Sequence, residues 1–232
     1  MEKKKAVFFD LDDTLYDQLL PFKKAVVPYL EQPDNGFIEK LFKTVRYYSD
    51  LLWMEHTKGR LALHQLRIQR LIKAFLEYGI ILTDNDATDI QNTYLQNQKL
   101  IEPFDGVYPL IETLQEQNFF VGMITNGPVE HQVNKIKQLG LLNVIPMKYI
   151  FVSDAVGIAK PDKNIFLHVN KVTGKIPSNC YYVGDSWTND VIPASEAGWT
   201  SIWYNYRNRN PLSKFTDYRE LKSYTNGMNL FL

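Results

Sequence analysis

The sequence predicts an α/β protein: a doubly wound, Rossmann-like parallel sheet core interrupted by an all-helical insertion. Three observations predict it. Short apolar runs at Ala6–Phe9, Val121–Thr125, Tyr149–Ser153, Tyr181–Gly184 and Ser201–Tyr204 have the near-continuous hydrophobicity of strands buried on both faces. Amphipathic helical stretches separate the later runs, and strand alternating with helix is the pattern of a parallel sheet. Between the first run and the second, residues 19–100 break the alternation and read almost entirely as helix.

Each helix of the core has its own periodic face. Val107–Gln117 carries Leu110, Ile111 and Leu114; Glu130–Leu139 carries Val133, Ile136 and Leu139. Lys163–Val172 repeats Ile165, Phe166 and Val169, and Asp190–Ala197 ends at Gly198, a natural C-terminal stop. Inside the insertion, Phe37–Trp53 and Leu61–Tyr78 are long amphipathic stretches parted near Gly59, and Asp86–Leu100 is a third. The expected organisation is therefore a core of residues 1–18 and 101–232, with residues 19–100 forming a separate helical lid over whatever the first strand presents. Lids exclude water and select substrates.

The bulk numbers narrow the function. A chain of 232 residues with 45% hydrophobic and 22% charged residues has the composition of an ordinary soluble globular protein. Its 26 basic and 26 acidic side chains cancel, which removes the electrostatic footprint of a nucleic-acid or membrane-surface binder. Lys3, Lys4 and Lys5 resemble the basic start of a signal peptide, but only four apolar residues follow before Asp10. No stretch has the length of a membrane span. Cys180 is the only cysteine, so it reads as a small buried hydrophobe, and a reducing cytoplasm fits. His56, His64, His131 and His168 lack metal-ligand spacing with a neighbouring acid.

Four segments at expected strand ends carry the chemistry. The first is Asp10-Leu11-Asp12-Asp13-Thr14, directly after Ala6–Phe9. Carboxylates there face the crevice where open α/β sheets bind ligands, and residues two apart in extended chain point the same way, so Asp10 and Asp12 can act as a pair. The alternative is an acidic turn and helix cap. Ile124-Thr125-Asn126-Gly127 offers donors for phosphate oxygens, or an ordinary turn. In Gly157-Ile158-Ala159-Lys160-Pro161, the proline restricts Lys160 and can fix where its ammonium points. Gly184-Asp185-Ser186-Trp187-Thr188-Asn189-Asp190 places two carboxylates about one helical turn apart. If Asp10, Asp185 and Asp190 converge on a phosphate, repulsion reaches several kcal/mol per close pair at an effective dielectric of about 20. Such a site needs cations: Lys160, and a hard divalent ion for which magnesium is suited.

The order Asp-x-Asp-x-Thr, Thr-Asn-Gly, Lys-Pro, Gly-Asp-x4-Asp resembles the haloacid dehalogenase (HAD) superfamily over essentially the whole chain. The resemblance implies that Asp10 attacks phosphorus to form an aspartyl-phosphate and that Asp12 protonates the leaving alcohol and then activates water. It implies Mg2+ bound by Asp10, the Asp12 backbone carbonyl and Asp185, with Asp190 in support. Thr125 and Asn126 would hold the phosphoryl group, Lys160 would balance its charge, Thr14 would fix the nucleophile loop, and the insertion would be a C1-type cap. Dehalogenases of the superfamily usually lack an acid at the position of Asp12, which favours a phosphatase. The cap segment with Trp53, His56, Gly59 and Arg70, together with Trp203, Tyr204 and Asn205, resembles the pyrimidine 5'-nucleotidase branch. Trp53 would then stack on a base and Arg70 reach a phosphate or sugar, although both sit in helical patterns where core packing and a solvated face are the default. Asp13 reads as a local cap and Tyr206–Pro211 as a surface loop.

The expectation is a Mg2+-dependent phosphatase of small phosphorylated metabolites, with nucleoside 5'-monophosphates leading. It would be a monomer or homodimer without nucleic-acid or membrane partners. The rivals are a β-phosphoglucomutase-like phosphomutase, a 2-haloacid dehalogenase and a catalytically idle binding protein.

Overall fold

A computed structural model describes residues 4–231. Met1, Glu2, Lys3 and Leu232, which the sequence reading assigns to the core and, for Lys3, to the basic start, lie outside the described residues. The chain divides into two compact units, one running up to Asp17 and resuming at Ile101, the other Gln18–Leu100.

The first unit is a parallel sheet. Its strands are β1 (Ala6–Phe9), β2 (Phe120–Thr125), β3 (Ile150–Val152), β4 (Cys180–Gly184), β5 (Thr200–Tyr204) and β6 (Arg219–Leu221), in the order β3-β2-β1-β4-β5-β6. β1 is central, with Phe9 in register with Met123 on one side and Val183 on the other. All four β1 residues are buried, which is why its sequence is an unbroken apolar run. The sheet continues in opposite directions from β1, so the carboxyl ends of β1, β2 and β4 surround the topological switch point. The last strand, β6, is missing from the sequence reading. It has three residues of which only Leu221 is buried, too little for a period-two signal.

Helices cover both faces. One core layer joins Val7, Phe9 and Tyr181 to Leu110, Ile111, Leu114, Ile136 and Leu139; the other joins Phe8, Ile124 and Tyr182 to Ile165, Phe166, Val169 and Trp199. The first set rides on α5 (Val107–Glu116) and on α6 (Val129–Gln138) with its C-cap Leu139; in the second, Ile165, Phe166 and Val169 ride on α8 (Asn164–Thr173), which follows the single-turn α7 (Ser153–Val156), and Trp199 directly precedes β5. Before α9 (Ile192–Glu196) the chain makes a π-helical turn at Trp187–Val191, so the last helical stretch starts earlier than its periodicity indicates. Gly198 lies at φ +80°, the left-handed conformation that a C-terminal stop requires.

The second unit comprises α1 (Leu19–Val26), α2 (Asn35–Thr57), α3 (Leu63–Leu76) and α4 (Asp84–Gln98), around a core of its own. Phe22 meets Phe42 and Tyr94 at ring distances of 5.0 and 5.8 Å, with Leu41 and Phe75 beside them. Asp34 caps α2 by accepting from the Phe37 amide, and Thr83 with Asp86 forms a capping box on α4. No helix among the described residues is long and apolar enough to cross a membrane.

One glycine is dictated by packing. A Cβ on Gly122 would lie 2.6 Å from Phe8 Cδ1 and 2.9 Å from the Tyr149 carbonyl, inside the sheet. Gly122→Ala is expected to destabilise the fold by about 1–3 kcal/mol, the usual cost of overpacking. Urea unfolding of the variant and the wild type measures it.

Candidate active site

β1 ends in a carboxylate that cannot drift. The Asp10 amide donates to the Val183 carbonyl at 2.8 Å, continuing the β1–β4 ladder by one bond past Phe9. Its carboxylate takes a hydrogen bond from Thr14 Oγ1 at 3.3 Å on one oxygen and from Lys160 Nζ at 2.7 Å on the other. Thr14 Oγ1 in turn accepts from the Asp185 amide at 3.0 Å, tying the two acid segments together.

Lys160 is the hub. Its ammonium, 3% exposed at the side chain, donates to Asp10 Oδ1 (2.7 Å), Asp190 Oδ1 (2.6 Å) and the Tyr182 hydroxyl (2.7 Å), using all three hydrogens. Burial works against its charge, but Asp10 and Asp190 outweigh burial and hold it above the ordinary lysine range. The Tyr182 hydroxyl in turn donates to the Ile124 carbonyl at 2.8 Å. Asp190 reaches this point because Gly184 has no side chain: a Cβ there would lie 2.5 Å from Asp190 Cγ. Its second oxygen accepts from the Ser186 amide at 2.9 Å.

The two neighbouring aspartates live in opposite environments. Burial pushes the Asp10 carboxyl up to about 7, with Asp190 adding to the effect and Lys160 opposing it. Asp12 also suffers burial, yet Lys135, with help from Tyr16 and Gln132, holds it well below the usual carboxylate range. Lys135 Nζ lies 2.6 and 2.7 Å from the two Asp12 oxygens, Tyr16 donates its hydroxyl, and Gln132 Nε2 is 3.0 Å away.

Asp10, Asp185 and Asp190 each offer an oxygen within 4.8 Å of the others'. Three hard oxygen donors that close fit a small divalent cation such as Mg2+. Burial raises Asp185 well above the ordinary aspartate range, with Asp13, Asp190 and Asp10 adding to it and Arg209 opposing. Asp12 contributes no carboxylate to this group; its side chain is committed to Lys135.

Other residues singled out in the sequence have partners of their own. The Asn126 side chain is bound at both ends to the Lys160 backbone, donating to its carbonyl at 2.7 Å and accepting from its amide at 3.0 Å. That side chain orients Lys160. Thr125, 1% exposed, accepts from Gln132 Nε2 at 2.5 Å. Asp13, at φ 58°, also has partners nearly two hundred residues away in sequence, Tyr206 (2.9 Å) and Arg207 (3.0 Å). The segment Tyr206–Pro211 is accordingly more than a surface loop. Arg207 also bonds Asp17 at 2.7 Å, and Arg209 bonds Asp185 at 3.1 Å.

In the helical unit, Arg70 braces three helices, donating to Ser49 Oγ (3.0 Å) on α2 and Gln91 Oε1 (2.8 Å) on α4. Trp53 is 46% exposed and faces the His56 ring at 5.1 Å, while His56 Nδ1 pairs with the Leu61 carbonyl at 2.9 Å.

Gln132 and Lys135 are functional-site residues that periodicity hides. On α6 they are 1% and 5% exposed, more buried than Val133, because their polar ends meet the Asp12 and Thr125 segments. Only their spacing of three, one helical turn, shows that both lie on the face with Ile136 and Leu139.

Comparison with known proteins identifies the family. A glyceraldehyde 3-phosphate phosphatase of Methanopyrus kandleri is 26% identical over 85% of this chain and 82% of its own. Pyrimidine 5'-nucleotidase PynA of Streptococcus pneumoniae is 24% identical over 87% and 84%. The magnesium-bound crystal structure of the HAD-hydrolase YfnB from Bacillus subtilis superposes with a TM-score of 0.69 at 22% identity, covering 99% of both chains, a likeness of fold. The family model for haloacid dehalogenase-like hydrolases matches residues 4–198, a span that contains Asp10, Asp12, Thr125, Lys160, Asp185 and Asp190. The chain belongs to the haloacid dehalogenase-like hydrolases.

Proposed function

We propose that the protein is a Mg2+-dependent phosphatase of small phosphate monoesters, acting through an aspartyl-phosphate on Asp10, with nucleoside 5'-monophosphates as the leading substrates. The observation that carries the reading is Asp10 itself: a carboxylate fixed at the end of a central strand, one oxygen on Lys160, beside two further carboxylates. In-line attack by a fixed carboxylate splits hydrolysis into formation and breakdown of an acyl phosphate. Asp10, Asp185 and the Asp12 backbone carbonyl would hold the cation, with Asp190 supporting. Bound there, it would supply charge stabilisation for the phosphoryl oxygens.

Asp12 carries the proton chemistry. Kept ionised by Lys135, it is ready to take a proton from the attacking water; before it gives one to the leaving alcohol it must loosen from Lys135 and Gln132 and take up a proton from solvent. An acid at this position has no use when the leaving group is a halide, which favours phosphate esters over haloacids. Thr125, at the end of β2, stands in reach of the same strand-end region and would hold the phosphoryl group with the backbone amides that follow it. The nucleotide preference is supported by PynA, and the glyceraldehyde 3-phosphate phosphatase makes small sugar-type phosphates the class to set against it.

Two measurements test this. Asp10→Asn is expected to lower Mg2+-dependent hydrolysis of p-nitrophenyl phosphate by on the order of 10³-fold or more. Activity unchanged in the variant would refute the nucleophile. A panel of nucleoside monophosphates, glyceraldehyde 3-phosphate and 2-haloacids then ranks kcat/KM, with nucleoside monophosphates expected first and no halide released.

A second prediction follows from the Asp10 carboxyl at about 7. Its protonated form is a poor ligand, so cation affinity rises with pH through that value. Calorimetric titration with Mg2+ is expected to give a weaker affinity at pH 6 than at pH 8, with protons released on binding at pH 6. A flat affinity between those pH values would contradict it.

A further inference from the structure

The carboxyl ends of β1 and β4 gather Asp10, Asp12, Asp13, Asp17, Asp185 and Asp190, and each has a cation beside it. Lys160 serves Asp10 and Asp190, Lys135 serves Asp12, Arg207 serves Asp13 and Asp17, and Arg209 serves Asp185. Arg209 Nη1 lies 3.1 Å from Asp185 Oδ2, and its Nη2 is 4.0 Å from Asp13 Oδ2. Among the described residues it is the one side chain bonded to the Asp185 carboxylate; the other bonds of Asp185 are made by its backbone, to Thr14 Oγ1 and from Trp203 Nε1 at 2.8 Å.

Arg209 is delivered by the device that delivers Lys160. The Asn126 amide grips the Lys160 backbone at both its N–H and its carbonyl. The Asn205 amide grips the Arg209 backbone in the same way, donating to its carbonyl at 2.9 Å and accepting from its N–H at 2.8 Å. Asn205 is 4% exposed and its amide also donates to Glu220 on β6 at 2.6 Å, which anchors the grip to the sheet. A surface arginine meeting a carboxylate by accident needs no such anchor.

We propose that Arg209 is a positioning residue for the divalent cation: fixed by Asn205, it holds one oxygen of Asp185 and leaves the other for the metal. The inference rests on the cation reading above. Two effects of the guanidinium oppose each other. Its charge repels a dication, but without it Asp185 is a buried carboxylate facing Asp10, Asp13 and Asp190, which push it out of the ligand position. Removing the partner of a buried charge is the costlier change, and loss of a group that orients a metal ligand weakens binding by about 10–100-fold. Arg209 therefore strengthens binding.

The experiment is calorimetric titration of the full chain with Mg2+, repeated with Mn2+ followed by its free-ion EPR signal. Arg209→Ala is expected to weaken both by about tenfold or more. Asn205→Ala should follow it, since the grip is lost, and Arg209→Lys should fall between, keeping charge without the planar fork. Arg207→Gln, which removes an equal charge from the same loop but serves Asp13 and Asp17, should stay within about twofold of wild type. Unchanged or tighter binding in Arg209→Ala overturns the proposal, as does equal weakening in Arg207→Gln, which would make loop charge alone responsible. If Arg209→Ala fails to fold by circular dichroism, Arg209→Lys decides, with wild-type affinity counting against the proposal. Asp185→Asn separates the two readings: wild-type affinity there removes the metal site itself, whereas lost binding there with retained binding in Arg209→Ala removes only the role of Arg209.

Discussion

Everything at the strand ends depends on the Lys160 ammonium. A lysine that is 3% exposed would not keep its charge without compensation, and it has two carboxylates and a hydroxyl at 2.6–2.7 Å. Each partner belongs to a different piece of chain: Asp10 follows β1, Tyr182 lies in β4, and Asp190 lies in the π-helical turn after it. One cation therefore holds three segments, and taking the ammonium away leaves two buried carboxylates without a counter-charge, at a cost of about 3–5 kcal/mol. This explains constraints that look unrelated. Gly184 must lack a Cβ so that Asp190 can approach, and Tyr182 must carry a hydroxyl in an otherwise apolar layer with Phe166 and Trp199.

The same charge separates Asp10 from Asp12. Alternation along an extended chain would give two equivalent carboxylates. The chain leaves the strand at Asp10, however, and Asp12 falls to the cation on α6 instead of the one before Pro161. Asp10 shares a single ammonium with Asp190 and is left partly uncompensated in a buried place, so its carboxyl rises. Asp12 has Lys135 on both oxygens, and its carboxyl falls. Two titrating groups driven apart by their surroundings are a basis for assigning different roles to chemically identical side chains.

The sequence made the frame of the molecule legible and left its polar interior obscure. Strands β1, β2, β4 and β5 are buried on both faces and so appear as apolar runs, while the acids after them stand out by contrast. Gln132 and Lys135 are hidden by the same logic, since periodicity assigns polar residues to solvent and cannot show that a helix end packs against a carboxylate. Arg207 and Arg209 sit among Asn and Pro, a composition that reads as exposed loop, and their partners are more than twenty residues away for Asp185 and far more for Asp13 and Asp17. Arg70 is the case from the helical unit: a charged residue on an amphipathic helix looks free of partners, yet it is held by Ser49 and Gln91. In every case the missing information is a long-range polar partner, which no local pattern encodes.

Asn126 shows why the kind of residue in a motif does not by itself fix its task. A primary amide has a donor and an acceptor side by side, the same pair that a peptide group presents, so it can close on another residue's N–H and carbonyl as a strand neighbour would. Asn126 does this to Lys160. A serine or threonine there has one oxygen and could not bridge both groups, and an aspartate could accept from the amide but would repel the carbonyl. The requirement for asparagine is thus met by a backbone grip. Lys160 has its backbone fixed by this grip and its ammonium fixed by Asp10, Asp190 and Tyr182, so both ends of a flexible side chain are held before any ligand arrives, which is the condition for a cation to stabilise developing charge without reorganising.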